Sequence, residues 1–308
     1  MKTTITALAL RVHGFNQAWA ASSAMHLGYM AGTTAEVRIM LTKTTQLKGF
    51  QIRAEDGAIG TVDRFFFDDE TWAIRYITVE TGGWLGGRPV LISPISIVHV
   101  DWKAKRLDAA LTKKQVENSP DIDTHQPVSR QHEAEYMGYY GYPFYWAGPY
   151  LWGPAFYPAG LAVPSIPSVK AIADRTECES ADSHLRSSEA VAGYSIAAVD
   201  GEIGHVDGFL VDDTAWAIRY IEVATRNWWP GKKVLVSPAW IERVSWRDAA
   251  VYAGLSREAI RSAPEYIEST PVTREYEERL YLHYGRPPYW LHEVEETSLL
   301  VSSGDLRG

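Results

Sequence analysis

The sequence predicts a mainly β protein built from two copies of one small domain. Three observations lead to this expectation: a long internal repeat, a succession of short strand patterns separated by turn residues, and a length of 308 residues, which suits two domains. The 30 basic and 38 acidic side chains give a net charge of −8, and 46% of the residues are hydrophobic, as in ordinary globular proteins. This acidic balance argues against a generic nucleic-acid binder, which needs a basic surface.

The internal repeat is the strongest signal in the chain. Residues 49–146 align with residues 193–290 without a gap, and about 40 of the 98 positions are identical. The string WAIRYI, for example, occurs at 72–77 and again at 216–221. A gapless match of this length indicates two copies of one folding unit.

Each copy has the turn residues and alternation typical of short strands. In the first copy, Asp56-Gly57 favours a two-residue hairpin turn. The apolar and alternating runs predict strands at 52–54, 59–67, 74–81, 90–92, 97–102 and 107–111. Thr112 is expected to cap a short helix at 113–118. So many short strands favour a small barrel, because closing a sheet removes its exposed edges.

These motifs resemble the PRC-barrel family. The resemblance is carried by Asp56-Gly57-x-Ile59-Gly60, Phe67-Asp68-Asp69, Trp72-x-Ile74-Arg75-Tyr76 and Val90-Leu91-Ile92-Ser93-Pro94, and by the same residue types from Gly193 onward. The small barrel of this family is found in the cytoplasmic part of the H chain of bacterial photosynthetic reaction centres and in a ribosome-maturation factor. The fold class that the resemblance implies is mainly β, with two tandem small PRC-type β-barrels, each with a short helix and an aromatic tail.

The resemblance to the H chain implies a non-enzymatic scaffold or adaptor that binds another macromolecule. The implied setting is the photosynthetic light reaction, where such a protein would assemble or tune an electron-transfer complex. The expected partner is then a membrane-associated protein complex, with this chain cytoplasmic and peripheral to the inner membrane. The alternative is an accessory protein of RNA processing or ribosome maturation, against which the net charge of −8 counts. We find no apolar run of about 18 residues, so we expect no transmembrane span.

The composition along the chain suggests five segments. The aromatic residues, 12% of the chain, are concentrated in the tail of the first copy and in the uncharged stretch that follows it. We expect a disordered or wrongly assigned leader (1–43), a first barrel with its tail (44–146), a linker (147–189), a second barrel with its tail (190–290) and a disordered C-terminus (291–308).

Sequence motifs for catalysis, cofactor binding and metal binding are missing. The nine histidines show neither HxH nor HExxH spacing, and there is no nucleophile elbow or phosphate-binding loop. The one cysteine, Cys178, rules out an intramolecular disulfide and has no base near it in the sequence. We therefore expect no enzymatic activity, no catalytic residue, no cofactor and no metal.

The candidate interaction residues are Tyr145, Trp146, Tyr289 and Trp290, which end the two tails at matching positions. Two interpretations remain open. The tails could fold back as lids over the barrels, which we favour, or they could be arms that dock onto a partner. Tyrosine and tryptophan suit such arms because they bury a large area at low entropic cost.

Arg75 and Arg219 also occupy matching positions, each three residues after a tryptophan. An arginine stacked on an indole could anchor a ligand. Because the nearby carboxylates are duplicated too, we favour a structural pair with an acidic turn residue such as Asp69 or Asp213.

Overall fold

The computed structural model describes residues 41–120, 128–159, 161, 184–225 and 232–291. Most of the predicted leader, the greater part of the linker and residues 292–308 lie outside the described residues. The described part of the chain holds two seven-stranded sheets with short helices. The prediction of a mainly β protein with two tandem domains is confirmed.

The first repeat follows the predicted order of strands. Its elements are β1 (Leu41–Lys43), α1 (Thr44–Leu47), β2 (Gln51–Ala54), β3 (Gly57–Asp68), β4 (Ile74–Glu80), β5 (Val90–Ile92), β6 (Ile97–Asp101), β7 (Arg106–Ala109), α2 (Lys113–Glu117) and α3 (Arg130–Tyr140). Thr112 caps α2 as predicted, since its side chain accepts a hydrogen bond from the backbone N–H of Gln115.

The second repeat has the same elements in the same order. They are β8 (Leu185–Ser187), α4 (Ser188–Val191), β9 (Ser195–Ala198), β10 (Gly201–Asp212), β11 (Ala217–Ala224), β12 (Lys233–Val236), β13 (Ile241–Ser245), β14 (Ala250–Ala253), α5 (Arg257–Ser262) and α6 (Arg274–Tyr284).

The two sheets share one topology. The strand orders are β5-β4-β3-β2-β7-β6 and β12-β11-β10-β9-β14-β13, with β2–β7 and β9–β14 parallel and the other pairs antiparallel. The 12-residue strand β3 carries register shifts between Val62 and Arg64 and between Phe66 and Phe67. Such bulges bend a strand and increase its twist, which lets β3 pair with β2 along one part and β4 along another.

The first hairpin forms as predicted, but its turn is shifted by one residue. Ala54 pairs with Gly57, so the two turn residues are Glu55 and Asp56, and Gly57 already begins β3. Gly57 has a φ of 147°, a conformation that favours glycine. The Asp56 carboxylate has a second role, because it accepts a hydrogen bond of 2.8 Å from the backbone N–H of Lys113 at the start of α2.

The first strands of the two repeats are exchanged. Strand β1, which precedes the first repeat, pairs with β10 of the second through Leu41–Asp212, Thr42–Val211 and Lys43–Leu210. Strand β8, which precedes the second repeat, pairs with β3 of the first through Leu185–Asp68, Arg186–Phe67 and Ser187–Phe66. The two registers are equivalent under the repeat alignment. This exchange of strands was not predicted from the sequence.

A direct backbone contact also joins the repeats. Ala73 and Ala217 form an isolated antiparallel bridge. The N–H of Ile74 donates to the Trp216 carbonyl at 2.7 Å, and the N–H of Ile218 donates to the Trp72 carbonyl at 2.8 Å. Because the bridge links matching residues, the two repeats are related by an approximate two-fold axis that passes near it.

The folded repeats are wider than the predicted segments. Strand β1 lies in the segment assigned to the leader, and β8 lies in the segment assigned to the linker. The aromatic tails also hold more helix than expected, since α3 and α6 are 11 residues long. In α3, Ser129 caps the first turn and Gly141 ends the helix with a left-handed φ of 70°.

Candidate functional site

The four candidate interaction residues lie where the tails fold back onto the barrels. Tyr145 is 4% exposed, whereas Trp146, Tyr289 and Trp290 are half-buried. In each tail the tyrosine and tryptophan rings meet edge to face, with centroids 4.8 Å apart in the first and 5.1 Å apart in the second. This placement is that of a lid. A partner contact through the exposed parts of these rings stays a prediction.

A buried carboxylate holds the first tail against the barrel. Glu133 of α3 is 2% exposed and accepts hydrogen bonds from the hydroxyls of Tyr145 at 2.6 Å and Tyr76 at 3.4 Å. The Arg130 guanidinium lies 3.2 Å from the same carboxylate and donates to the Tyr145 hydroxyl at 2.8 Å. Burial raises the pKa of Glu133 to about 7, against the opposing effects of Arg130 and Tyr145.

The second repeat contains the same arrangement. The Glu277 carboxylate accepts from Tyr220 at 2.8 Å and from Tyr289 at 3.2 Å, and Arg274 lies 3.0 Å from it. The Arg274 guanidinium also lies 3.9 Å from the ring centroid of Trp290. Burial raises the pKa of Glu277 as well. These glutamates were not predicted as site residues, although Glu133 and Glu277 are identical residues at matching positions three places after an arginine.

Arg75 is a structural residue of the first repeat. It is 1% exposed, and its guanidinium lies 3.3 Å from the Asp68 carboxylate. The acidic partner is therefore Asp68 and not the neighbouring Asp69, which lies 2.9 Å from Arg186 on the exchanged strand β8. The ring over the Arg75 guanidinium is Tyr145, at 3.7 Å, and not the preceding tryptophan. The expected pairing with an acidic turn residue thus forms one position earlier.

The beginning of the linker seals Arg75 from solvent. The Arg75 guanidinium donates to the carbonyl of Leu151 at 2.6 Å, and the indole of Trp152 lies 4.9 Å from it. Trp152 is fully buried, and its indole N–H donates to the Ala215 carbonyl of the second repeat at 2.9 Å. One tryptophan therefore contacts a buried cation of one repeat and the backbone of the other.

The geometry of the first repeat agrees with a comparison to known families. Residues 43–115 match the family model of the PRC-barrel domain. This segment is a PRC-barrel domain. The match starts at the last residue of β1 and ends within α2, so it covers the first barrel without its tail. No curated protein matches the chain. A PRC-barrel domain is typical of a non-catalytic scaffold or adaptor.

A cavity of about 570 Å³ lies between the PRC-barrel domain and the second repeat. From the first repeat it is lined by the turn that includes Thr71 and Trp72, and Leu151 of the linker forms part of its wall. From the second repeat it is lined by Arg219 and Tyr289 and by the segments 237–239 and 241–244. Arg219, 12% exposed, lies 2.9 Å from the Asp212 carboxylate and 4.1 Å from the centre of the Tyr289 ring.

A charged cluster holds the exchanged strand β1 on the second repeat. Lys43, 6% exposed, lies 2.8 Å from the carboxylate of Glu222, whose side chain is fully buried. Lys233 lies 2.7 Å from the other oxygen of Glu222, and both lysines contact Glu268. Burial acts to lower the pKa of Lys43, but the contacts with Glu222 and Glu268 outweigh it and raise that pKa. The first repeat has Thr78 in place of Glu222, so this cluster belongs to one side of the molecule.

Metal-ligating clusters and membrane-spanning helices are two features on which the sequence makes a prediction. Within the described ranges, no three histidine, cysteine, aspartate or glutamate side chains lie together in a way that could hold a metal ion. None of the helices that the structure describes is both long enough and apolar enough to cross a membrane.

Proposed function

We propose that this chain is a non-enzymatic adaptor that binds a protein complex through the surface of its paired barrels. The observation that carries the proposal is the exchange of β1 and β8, which joins the PRC-barrel domain and the second repeat into one body with two related faces. Each exchanged strand is held on the other repeat by a row of backbone hydrogen bonds, so the two units are linked at two places. A rigid pair of similar surfaces suits the task of holding a partner in a defined orientation.

The placement of the buried ionisable groups supports a non-catalytic role. Glu133 and Glu277 contact tyrosines and arginines of their own tails. A general acid or base must lie within hydrogen-bond distance of a bound substrate, whereas these carboxylates hydrogen-bond to the tails and hold them in place. We assign them to structure.

The finer proposal is that the partner is a membrane-associated electron-transfer complex. It is supported by the resemblance of the barrel motifs to the cytoplasmic part of the reaction-centre H chain, and it places this chain on the cytoplasmic side of the membrane. The second repeat carries the same motifs, which supports its assignment as a second PRC barrel. RNA processing remains the alternative that the experiment must separate, with the acidic net charge of −8 against it.

The test is co-purification of the tagged full-length chain from its native cell. We expect it to elute with a stoichiometric complex from detergent-solubilised membranes and to migrate apart from ribosomal subunits at low salt. Migration with small ribosomal subunits would favour the alternative. A chain that runs alone in both fractionations would overturn the adaptor proposal.

A variant pair tests whether the tails take part in the contact. The double substitution Trp146→Ala and Trp290→Ala removes the half-buried rings, and Val98→Ala removes an apolar side chain that is 64% exposed on β6. If the tails dock on the partner, the double variant elutes alone and the Val98 variant keeps the partner. Equal yields of the complex would mean that the tails act only as lids.

A further inference from the structure

We infer that the exchange of β1 and β8 is selected by a charge code in the two segments that lead into the repeats. Lys43 directs β1 to the second repeat, and Glu189, which follows β8 in α4, directs β8 to the first. The code is independent of the proposed adaptor function, since it concerns only which repeat receives each strand.

The backbone by itself does not select a place for either strand. Strand β1 pairs with residues 210–212 of β10, and β8 pairs with residues 66–68 of β3, which are the matching positions of the repeat alignment. Each strand could therefore pair in the same register with the other edge, which would give a molecule without exchange. The choice must come from side chains that differ between the two copies.

The receiving site of the second repeat fits a lysine. The Lys43 ammonium lies 2.8 Å from a carboxylate oxygen of Glu222 and 2.8 Å from one of Glu268. The Glu222 side chain is fully buried, so its ion pair with Lys43 is largely removed from water. The lysine stem passes Gly208, where a Cβ atom would lie 3.6 Å from the Lys43 Cε. The missing side chain at Gly208 therefore leaves room for the lysine.

The corresponding place in the first repeat is unsuited to a lysine. Thr78 replaces Glu222 and Arg64 replaces Gly208 at the matching positions. Because Thr78 is 1% exposed, a lysine that extended from the paired strand toward it would bury its charge without the carboxylate of Glu222 and would pass the Arg64 guanidinium. A buried charge without an opposite partner is strongly unfavourable. Lys43 therefore disfavours the pairing of β1 with β3.

The first repeat instead receives an acidic segment. The Glu189 carboxylate lies 2.7 Å from the Lys48 ammonium and 3.7 Å from the Nε of Arg64. The segment of β1 has Thr45 at the position that matches Glu189. Since exposed ion pairs contribute little to stability, the larger part of the preference lies with the buried pair of Lys43.

The two preferences act in the same direction. In a molecule without exchange, Lys43 would face Arg64 and Thr78, and Glu222 would face the segment that carries Ser187 in place of the lysine. Each receiving site therefore disfavours the wrong strand as well as favouring the right one, which is how specific pairing is usually achieved.

The test exchanges the code between the two segments of the full-length chain and leaves both receiving sites unchanged. The swapped-code variant carries four substitutions: Lys43→Ser, Thr45→Glu, Ser187→Lys and Glu189→Thr. We expect β1 and β8 of this variant to pair with their own repeats. The matched control exchanges two exposed residues at matching positions of α1 and α4, Gln46→Ala with Ala190→Gln, and should keep the exchanged strands.

Disulfide formation in a Cys178→Ser background reports the arrangement. Thr42→Cys with Val211→Cys reports exchange, because the two residues are directly paired and the Cα atoms of such pairs lie about 4.5–5.5 Å apart. Thr42→Cys with Phe67→Cys reports the molecule without exchange, since Phe67 matches Val211. Mass spectrometry of non-reduced peptides gives the yield of each disulfide.

The ratio of the two disulfide yields decides between the outcomes. We expect the unmodified code and the matched control to give the exchange disulfide, and the swapped code to shift the ratio toward the other disulfide by at least about tenfold. A swapped-code variant that forms the exchange disulfide as well as the unmodified chain does would overturn the proposal.

A second measurement decides the matter if the swapped-code variant does not fold. Ser187→Lys alone sends a lysine from β8 toward Thr78, and we expect it to lower the urea midpoint of unfolding. Adding Thr78→Glu supplies the missing carboxylate and should raise the midpoint again. Ala190→Lys is the control at an exposed position of the same segment. If Ser187→Lys lowers the midpoint no more than Ala190→Lys does, the first repeat accepts a lysine-bearing strand and the charge code is wrong.

Discussion

Lys43 and Glu222 form an ion pair between the two repeats, with the ammonium 2.8 Å from a carboxylate on a fully buried side chain. Lys43 belongs to β1, which precedes the first repeat, whereas Glu222 lies in the middle of β11 in the second. The pair therefore joins the exchanged strand to the core of the repeat that receives it.

Lys43→Ala is expected to lower the free energy of unfolding by about 1–3 kcal/mol, because it leaves Glu222 with Lys233 as its remaining cation. Urea denaturation measures the change. Arg261→Ala is the control, since it breaks an exposed ion pair with Glu258, and such changes stay within about 0.5 kcal/mol. Equal effects of the two substitutions would show that the buried pair does not hold β1.

The strand exchange itself is open to a cross-linking test. Thr42 and Val211 are directly paired across β1 and β10, and paired residues of antiparallel strands have Cα atoms about 4.5–5.5 Å apart, within disulfide range. In a Cys178→Ser background, the variant Thr42→Cys with Val211→Cys should form an intrachain disulfide on mild oxidation, detected by mass spectrometry of non-reduced peptides.

The matched control pairs Thr42→Cys with Phe67→Cys, because Phe67 is the counterpart of Val211 in the first repeat. Without strand exchange, β1 would lie beside Phe67 and the control pair would oxidise instead. A disulfide in the control pair alone would therefore contradict the exchanged arrangement.

Trp152 is expected to be one of the most sensitive positions of the described core. Trp152→Ala removes a fully buried indole together with its contacts to the Ala215 carbonyl and the Arg75 guanidinium. We expect the free energy of unfolding to fall by about 3–5 kcal/mol. Thermal unfolding followed by circular dichroism gives the measurement. Tyr157→Ala, at a ring that is 42% exposed in the same segment, should leave the transition nearly unchanged. Similar losses of stability in both variants would mean that the buried indole of Trp152 has no special part in the stability that residues 150–158 provide.

Attachment of the first tail is expected to depend on pH through Glu133. Its pKa in the folded protein is about 7, above the ordinary value of 4.5, so the folded state favours the protonated form. The contribution of Glu133 to the free energy of unfolding is fully present below about pH 4.5 and is lost as the pH rises through 7. The free energy of unfolding then falls by about 3 kcal/mol at most. Glu133→Gln should flatten the pH dependence of stability between pH 4.5 and 7.

The control for this prediction is Glu135→Gln, two residues further along α3 at an exposed position. That variant should keep the pH profile of the unmodified chain. Urea unfolding at a series of pH values provides both profiles. If the free energy of unfolding of the Glu133 variant has the same slope against pH as that of the control, the Glu133 carboxylate is ionised throughout the range and Arg130 keeps it charged.

Local patterns were sufficient for most elements of the barrels. Alternating and apolar runs placed β2 to β7 to within a few residues, because period-two burial is encoded in each strand separately. The cap at Thr112 needed only its neighbour Gln115. The position of the first turn was wrong by one residue, since Asp56-Gly57 is typical of a turn centre and the structure uses Gly57 as the first strand residue.

The candidate site was predicted less completely. The four aromatic residues of the tails stood out because they are duplicated and large. Glu133 was passed over, because a glutamate on a helix is ordinarily exposed and only the packed tail shows that this one is buried. Trp152 has no counterpart in the second repeat, so the comparison of repeats could not single it out.

The sequence by itself determined that the chain has two copies of one small β domain, that each copy ends in an aromatic tail, and that both copies carry motifs that resemble the PRC barrel. Only the tertiary structure decided which strand each copy receives. Strand β1 finds nearly the same surface on β3 as on β10, since Asp68 matches Asp212 and apolar residues precede both. Local preference cannot choose between two equivalent edges. The choice depends on contacts between residues far apart in the sequence, which exist only in the folded molecule. Examples are Lys43 with Glu222 and the bridge between Ala73 and Ala217.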